Sequence, residues 1–286
     1  MKFVKLHGQG NDFLVTLAEA LGRESHDMAA RARAICDRHT GVGADGLILV
    51  RECHDAIADF EVRIFNADGS EAEVSGNGVR CVAAYLHYAQ LSTRPRLAIR
   101  TAVGTMILRL LESRGRAYRF ESDMGAPIMA PQEIPFTGEG CNDRVVHYPL
   151  PIGNERLWIT ATSMGNPHCA VFCDDLDEAF INRVGPILER HTAFPRRTNV
   201  EFIKTLNRQA IAVRFWERGV GRTLSSGTGS SSAVVAAVLN GLTDTQVTVQ
   251  TLAGPLEVEW REREHVFLTG PAEVVCQGEY LVEDAP

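Results

Sequence analysis

The chain repeats one turn, as Val74-Ser75-Gly76-Asn77-Gly78 in its first half and as Ser225-Ser226-Gly227-Thr228-Gly229 in its second, 151 positions later. The same offset continues upstream, where Val62-Arg63-Ile64-Phe65-Asn66 aligns without a gap with Val213-Arg214-Phe215-Trp216-Glu217. Small and apolar residues follow each turn, which predicts a helix beginning after the serine. The repeat therefore predicts two like-folded halves, each presenting one serine and a set of backbone N–H groups to a shared cleft.

Shorter landmarks recur in the same order. Gly10-Asn11 precedes an apolar strand as Gly165-Asn166 does, and Arg38-His39-Thr40 ends a helix as Arg190-His191-Thr192 ends its counterpart. We predict an N-terminal half of residues 1–119 plus about 273–286 and a C-terminal half of residues 120–272. The predicted fold class is α/β (α+β), with two pseudo-symmetric halves that each wrap a curved, mostly antiparallel sheet around a central helix.

Apolar runs and alternation, bounded by Gly, Asn, Asp or Pro, predict the strands. Those of the first half are residues 3–6, 13–16, 47–50, 60–65, 97–101, 105–111 and 118–122. Those of the second half are residues 145–148, 157–162, 169–172, 200–204, 210–216, 246–251, 256–260 and 265–268. Helices are predicted from about Ser25, a candidate N-cap, to Arg38, then from Gly76, after Asp177 and after Gly227.

Composition excludes several classes of protein. The 286 residues, 45% hydrophobic and 23% charged, fit a globular protein of two domains. The net charge of −7 argues against a nucleic-acid partner, and no Lys/Arg run indicates a membrane surface. The N-terminus is too polar for a signal peptide, and no apolar stretch approaches membrane-spanning length. Seven cysteines without a Cys-x-x-Cys pair favour a reduced, cytoplasmic protein without disulfides.

A metal site is not predicted. Cys169 and Cys173 lie near His168, but no second ligand pair accompanies them.

The two turns suit an anionic ligand. The N–H groups of the first helical turn have no partner inside the helix, and the helix dipole favours a negative charge there. Taken singly, Ser75 or Ser226 is best interpreted as an ordinary N-cap residue. The duplicated context instead favours a binding role for both.

Uncharged hydrogen-bonding side chains surround these turns in sequence, together with one adjacent charged pair. They are Asn11, Asn66, Asn77, Asn166, Asn199 and the pair Glu217-Arg218. Asparagines in loops often only shape turns. Their number beside repeated glycine motifs predicts a site for a zwitterion, whose carboxylates meet N–H groups and a guanidinium and whose ammonium meets amide oxygens and a carboxylate.

Five longer motifs run through the chain. They are His7-Gly8-Gln9-Gly10-Asn11-Asp12-Phe13, Phe65-Asn66-Ala67-Asp68-Gly69-Ser70-Glu71-Ala72-Glu73, Gly76-Asn77-Gly78-Val79-Arg80-Cys81, Met164-Gly165-Asn166-Pro167-His168 and Glu217-Arg218-Gly219-Val220-Gly221-Arg222-Thr223-Leu224. In this order they resemble the signature blocks of the diaminopimelate epimerase family. The resemblance implies two mirrored α/β halves with the active site in the cleft between them, a homodimer, and a place in lysine and peptidoglycan precursor synthesis.

The resemblance also implies a reaction and its residues. The family inverts one α-carbon of LL-diaminopimelate to give the meso isomer without pyridoxal phosphate or metal, one cysteine taking the α-proton and another returning one. The implied substrate-binding residues are Asn11, Asn66, Asn166, Asn199, Glu217 and Arg218, with the backbone of Gly76, Asn77, Gly227 and Thr228. His168 and Glu217 are implied to assist the acid–base pair.

Both catalytic cysteine positions of that family carry serine here, Ser75 and Ser226. Helix N–H groups can stabilise a thiolate near neutral pH, but an alcohol is far less acidic. Cys81, six residues beyond Ser75, is interpreted as a core residue and not as a substitute thiol.

Four hypotheses follow. The chain is an altered epimerase that binds diaminopimelate but turns it over poorly, or an epimerase whose hydroxyls are activated by His168, Glu217 or another neighbour. Alternatively, it is an isomerase or dehydratase of changed chemistry, or a non-catalytic amino-acid-binding relative.

Overall fold

The computed structural model describes residues 1–21, 27–53, 55–141, 143–153 and 155–281. Within those residues it has four α-helices and 17 strands, which confirms the mixed α/β class. The helices are α1 (Met28–Cys36), α2 (Gly76–Tyr88), α3 (Glu178–Glu189) and α4 (Gly227–Leu239). The strands are β1 (Lys2–Gly8), β2 (Asn11–Leu17), β3 (Gly46–Glu52), β4 (Phe60–Asn66), β5 (Glu71–Ala72), β6 (Arg96–Thr101), β7 (Gly104–Arg114), β8 (Ala117–Asp123), β9 (Val145–Ile152), β10 (Glu155–Ser163), β11 (Pro167–Phe172), β12 (Asn199–Asn207), β13 (Ala210–Glu217), β14 (Gly221–Thr223), β15 (Gln246–Thr251), β16 (Gly254–Trp260) and β17 (Val266–Glu279).

The chain divides into two compact units. The first comprises Met1–Ser122 and the segment that begins at Gly270, and the second comprises Asp123–Thr269. Strand β17 contributes its beginning to the second unit and its remainder to the first.

The first unit is a closed ring of strands around a helix. Its strands follow the order β1-β2-β3-β4-β6-β7-β8, and β17 pairs with both β1 and β8. Neighbours are antiparallel except for the pairs β2–β3 and β4–β6. Helix α2 packs inside the ring, where Val79, Val82 and Leu86 are fully buried. Helix α1 covers the other face of the sheet, so β2 and β3 are buried on both faces and consist of apolar runs.

The second unit has the same organisation. Its strands follow the order β9-β10-β11-β12-β13-β15-β16-β17, with β11–β12 and β13–β15 parallel. The segment after β8 bridges back to β10 through Ile128 and Ser163. Helix α4 forms one core with the sheet and α3 forms a second core on the opposite face.

The helix starts show both agreement and correction. Helices α2 and α4 begin at Gly76 and Gly227, as predicted. Ser25 lies outside the described residues, and α1 begins at Met28 with Asp27 as its N-cap, whose side chain accepts a hydrogen bond from Ala30 N at 2.8 Å. None of the described helices is long and apolar enough to span a membrane.

Candidate active site

The Ser75 turn, residues 75–78, forms the N-terminus of helix α2. Ser75 is the N-cap, and its Oγ accepts a hydrogen bond from Gly78 N at 3.1 Å. The first bond of the helix runs from Val79 N to Ser75 O, so the N–H groups of Gly76 and Asn77 precede the helical ladder. The space beside Gly76 is open, because a Cβ atom added to this glycine would meet no atom within 4 Å. The turn therefore presents accessible N–H donors to which an anion can bind.

Asn11 lies next to Asn77, a residue of the Ser75 turn. Asn77 Nδ2 lies 3.5 Å from Asn11 Oδ1, at the outer limit of a hydrogen bond. Asn77 Oδ1 accepts a hydrogen bond from Arg80, a nearly fully buried side chain whose Nε donates to Pro271 O at 3.3 Å. Burial lowers the pKa of Arg80 to about 10, so the guanidinium stays charged at neutral pH. A buried cation thus holds Asn77 and adds positive potential at the start of α2.

An ion-pair network holds the loop that carries Asn11. Asn11 Nδ2 donates to Asp45 Oδ2 at 2.8 Å, and Arg38 Nη2 bridges Asp45 and Asp12 at 2.8 and 2.7 Å. Lys5 Nζ lies 3.0 Å from Asp12 Oδ2. Burial raises the pKa of Asp12, but the bonds to Arg38 and Lys5 outweigh it and lower the pKa to about 2. The network therefore fixes the orientation of Asn11.

Asn66 lies at the exposed end of β4. Its Nδ2 donates to Ser70 Oγ at 2.9 Å, and the neighbouring Ala67 N donates to Asp45 O at 3.0 Å. Asn66 is therefore tied to the loop of Asp45, whereas the described residues show no hydrogen bond between Asn66 and Ser75.

The Ser226 turn, residues 226–229, forms the N-terminus of helix α4 in the same way. Ser226 is the N-cap, and its Oγ accepts a hydrogen bond from Gly229 N at 3.3 Å. Ser230 N donates to Ser226 O at 3.0 Å, which leaves the N–H groups of Gly227 and Thr228 ahead of the ladder. The backbone of this turn thus offers the same donors as the Ser75 turn.

Ser226 differs from Ser75 because it also contacts a carboxyl group. Ser226 Oγ donates to Glu217 Oε2 at 3.4 Å. Burial raises the pKa of Glu217, and the nearby Thr223 hydroxyl, His168 and the hydrogen bond from Ser226 offset only part of that rise. Glu217 is therefore a better proton acceptor than an exposed glutamate.

His168 lies fully buried on β11 between two polar side chains. Its Nδ1 is 2.7 Å from Glu201 Oε1, and its Nε2 is 2.9 Å from Asn166 Oδ1. Glu201, on β12, is also buried, and burial raises the pKa of its carboxyl group despite the adjacent His168. We call Ser226, Glu217, His168 and Glu201 the Ser226 cluster.

The side chain of Asn199 is hydrogen-bonded to the backbone of Arg218. Asn199 Oδ1 accepts a hydrogen bond from Arg218 N at 2.9 Å, and Asn199 Nδ2 donates to Pro167 O at 3.1 Å. Glu189, at the end of α3, accepts hydrogen bonds from Gly219 N and from Trp216 at 3.0 and 3.2 Å. The turn that carries Arg218 is thereby held from both sides.

Sequence reasoning missed Glu201 and Glu189. Each is a nearly fully buried glutamate that contacts a predicted site residue or its turn. Glu201 was detectable as a charged residue inside the apolar run of strand β12. Glu189 left no such signal, because a glutamate at a helix end is ordinarily exposed.

Two buried cysteines, Cys81 and Cys169, do not supply the missing thiols. Cys81 lies in the core of the first unit, and burial raises the pKa of its thiol to about 12. Burial also raises the pKa of Cys169 well above its usual value. Among the described residues, no group of three or more His, Cys, Asp or Glu side chains is arranged to hold a metal ion.

Comparison with known sequences decides the family. The profile of the family described as diaminopimelate epimerase matches residues 3–130 and 160–275. The chain belongs to this family. Among its relatives, the diaminopimelate epimerase of Pelotomaculum thermopropionicum is 48% identical, covering 98% of this chain and 99% of that protein. The diaminopimelate epimerase of Moorella thermoacetica is 43% identical, covering 99% of this chain and 100% of that protein.

Solved structures share the fold of this diaminopimelate epimerase family member at low identity. A Bacillus anthracis phenazine biosynthesis protein of the PhzF family superposes with a TM-score of 0.68 at 16% identity, covering 99% of each chain. A hydroxyproline epimerase from Agrobacterium vitis, with bound trans-4-hydroxy-L-proline, gives 0.65 at 15% identity, covering 97% of this chain and 90% of that one. The likeness shows a common fold.

Proposed function

We propose that the chain binds diaminopimelate and interconverts its LL and meso isomers by moving the α-proton, more slowly than a family member with two cysteines. Family membership supports the substrate. The reaction proposed needs neither pyridoxal phosphate nor metal, and it would serve lysine and peptidoglycan precursor synthesis.

The proposed binding groups suit a zwitterionic amino acid. The reacting carboxylate would be held by N–H groups of the two turns, at Gly76, Asn77, Gly227 and Thr228. Amide side chains, one carboxylate and one guanidinium would bind the remaining charged groups. These are Asn11, Asn66, Asn77, Asn166, Asn199, Glu217 and Arg218.

The contact between Ser226 and Glu217 supports a route for one proton transfer. As Ser226 Oγ takes the α-proton, the C–H bond breaks, a new O–H bond forms, and the original hydroxyl proton passes to Glu217 Oε2. The electron pair remains on the substrate as a carbanion beside its N–H-bound carboxylate. The raised pKa of Glu217 favours its accepting that proton.

Ser75 has a poorer environment for the other transfer. Among the described residues, its hydroxyl is hydrogen-bonded to Gly78 N and to no titratable side chain. An unassisted alcohol is a weak acid and a weak base near neutral pH, so we propose that the Ser75 step limits the rate.

The observation that carries the proposal is the pair of serine-capped helix starts, whose first N–H groups precede the helical ladder and have no hydrogen-bond partner among the described residues. The test is incubation with LL-diaminopimelate in deuterium oxide, with mass spectrometry and chiral separation. We expect slow α-deuteration and a rise in thermal stability, whereas L-lysine, which lacks the second carboxylate, should protect less. Absence of any binding would refute the proposal.

One observation favours a non-catalytic alternative. The lack of an acid–base partner at Ser75 among the described residues is what a protein that only binds an amino acid would show. Thermal protection without α-deuteration would select this alternative. An isomerase or dehydratase using the carboxyl groups of the Ser226 cluster would instead show no protection by diaminopimelate.

We also propose, from the resemblance, a homodimer in the cytoplasm. Sedimentation velocity of the purified chain tests the dimer, and a single species of monomer mass would contradict it.

A further inference from the structure

Glu201 lies beneath the first turn of helix α4. Strand β12 pairs with β11 on one side and β13 on the other, placing Glu201 opposite Ala170 and Phe215. A Cβ added to Gly229 would come within 3.0 Å of Glu201 Oε1, so the carboxyl group lies directly against the Ser226 turn. No solvent reaches it, since Glu201 is 1% exposed.

The contact between Glu201 and His168 has a definite direction. Burial raises the pKa of Glu201, but the positive end of the α4 dipole beside its Oε1 opposes that rise, and an ionised carboxylate can only accept a hydrogen bond. The nitrogen 2.7 Å away, His168 Nδ1, must then carry a proton. Glu201 Oε2 has no hydrogen-bond partner among the described residues. Among those residues, the Glu201 carboxyl group is therefore hydrogen-bonded to His168 alone.

The second ring nitrogen contacts one of the proposed substrate-binding residues. His168 Nε2 contacts Asn166 Oδ1 at 2.9 Å. The titratable groups that act on the ring are Glu201, through Nδ1, and Glu217, whose carboxyl group interacts with it electrostatically. A ring whose Nδ1 proton is held can gain or lose its other proton only at Nε2.

We propose that Glu201 is a positioning residue that holds a proton on His168 Nδ1 and thereby assigns proton exchange to Nε2, beside Asn166. A ring that takes up a second proton at Nε2 becomes positively charged, and that charge favours the ionised form of Glu217, the acceptor for Ser226. The catalytic role of the Glu201–His168 contact rests on the proposed function. The tautomer of His168 itself is a property of the substrate-free protein.

The test is NMR of isotope-labelled histidine in the substrate-free protein, with two-bond proton–nitrogen correlations and with His168 assigned by the His168→Gln variant. Near neutral pH we expect Nδ1 of His168 to be protonated in the unsubstituted chain. Glu201→Gln removes the charge, so the Nε2–H tautomer should gain population and the pH titration of the ring should shift. Glu189→Gln is the matched control, because Glu189 is similarly buried in the same unit and has no hydrogen bond or ion pair with a histidine among the described residues.

Two results would overturn the inference. One is a neutral His168 in the unsubstituted chain with its proton on Nε2 alone. This result does not require the Glu201→Gln variant to fold. The other is a folded Glu201→Gln variant whose ring signals match those of the unsubstituted chain. Neither depends on diaminopimelate, so failure of the proposed function leaves this test intact.

Discussion

The Ser75 and Ser226 turns have the same backbone in different chemical surroundings. Each serine caps a 13-residue helix and accepts a hydrogen bond from the glycine three residues later. At Ser226 a carboxyl group joins the hydroxyl, with His168 and Glu201 beyond it. At Ser75 the nearby polar groups include a buried cation, Arg80, which reaches the turn through Asn77. Under the proposed function, the repeated motif supplies the N–H groups for an anion, whereas residues outside the motif supply the proton acceptor.

The largest expected effect comes from restoring both thiols. Ser75→Cys with Ser226→Cys should raise α-deuteration of diaminopimelate by about 1,000-fold, because a thiolate is accessible near neutral pH and helix N–H groups stabilise it. Of the single variants, Ser75→Cys should gain more, since Ser226 already has Glu217 as a proton acceptor. The measurement is the deuteration rate at saturating substrate. A double variant that binds diaminopimelate yet stays inert would show that the thiols are not all that is lacking.

A second variant tests the same difference between the two turns by removing the carboxyl group of Glu217. Glu217→Gln should lower the residual deuteration about 100-fold, because the amide cannot accept the hydroxyl proton of Ser226. Any loss of thermal protection by diaminopimelate should be small beside the loss of rate. Glu155→Gln, at an exposed position of β10 with no proposed role in binding or proton transfer, is the control. An equal loss of rate in both variants would contradict the role of Glu217 as the proton acceptor for Ser226.

Carboxyl groups of the two units should change the stability of the chain in opposite directions as the pH rises. The pKa of Asp12 is lowered from about 3.8 to about 2, so its contribution to stability is present above its unfolded value and is lost as the pH falls toward 2. That contribution is about 2 kcal/mol at neutral pH. The pKa values of Glu201 and Glu217 are raised, so stability is greatest below their unfolded value near 4.5 and declines as the pH rises through the folded value.

Melting temperatures across acidic and neutral pH measure both effects. Asp12→Asn should flatten the acid side of the profile, whereas Glu217→Gln should make the chain relatively more stable as the pH rises. Glu155→Gln, at an exposed position of β10, is the control. Parallel profiles for Asp12→Asn and Glu217→Gln would contradict the assignment.

The sequence sufficed for features encoded over short distances. The starts of α2 and α4 follow from a serine, two glycines and a run of small apolar residues. Strand β17 is longer than predicted, because Gly270-Pro271 indicates a break, yet pairing with β1 and β8 carries the strand through to Glu279. Strands β5 and β14, of two and three residues, are too short to give any periodicity.

The acid–base neighbours required the tertiary structure. Glu201 and His168 are 33 positions apart and meet only because β11 and β12 run parallel with α3 between them in the chain. A lone glutamate in an apolar strand signals a buried charge but not its partner. The sequence repeat itself conceals the difference, since it aligns Asn66 with Glu217 and Ser75 with Ser226.

The smallest expected effect concerns the caps alone. Ser75→Ala should cost about 1 kcal/mol of unfolding free energy, the usual value of an N-cap side chain. Ser226→Ala should cost about 1 kcal/mol more, because Glu217 also loses a hydroxyl donor inside the protein. Urea unfolding measures both, and Ser75→Thr and Ser226→Thr, which keep a hydroxyl at each position, are the matched controls. Equal costs at the two turns would mean that the 3.4 Å contact between Ser226 and Glu217 contributes nothing, and the acid–base difference between the turns would then rest on His168 and Glu201 alone.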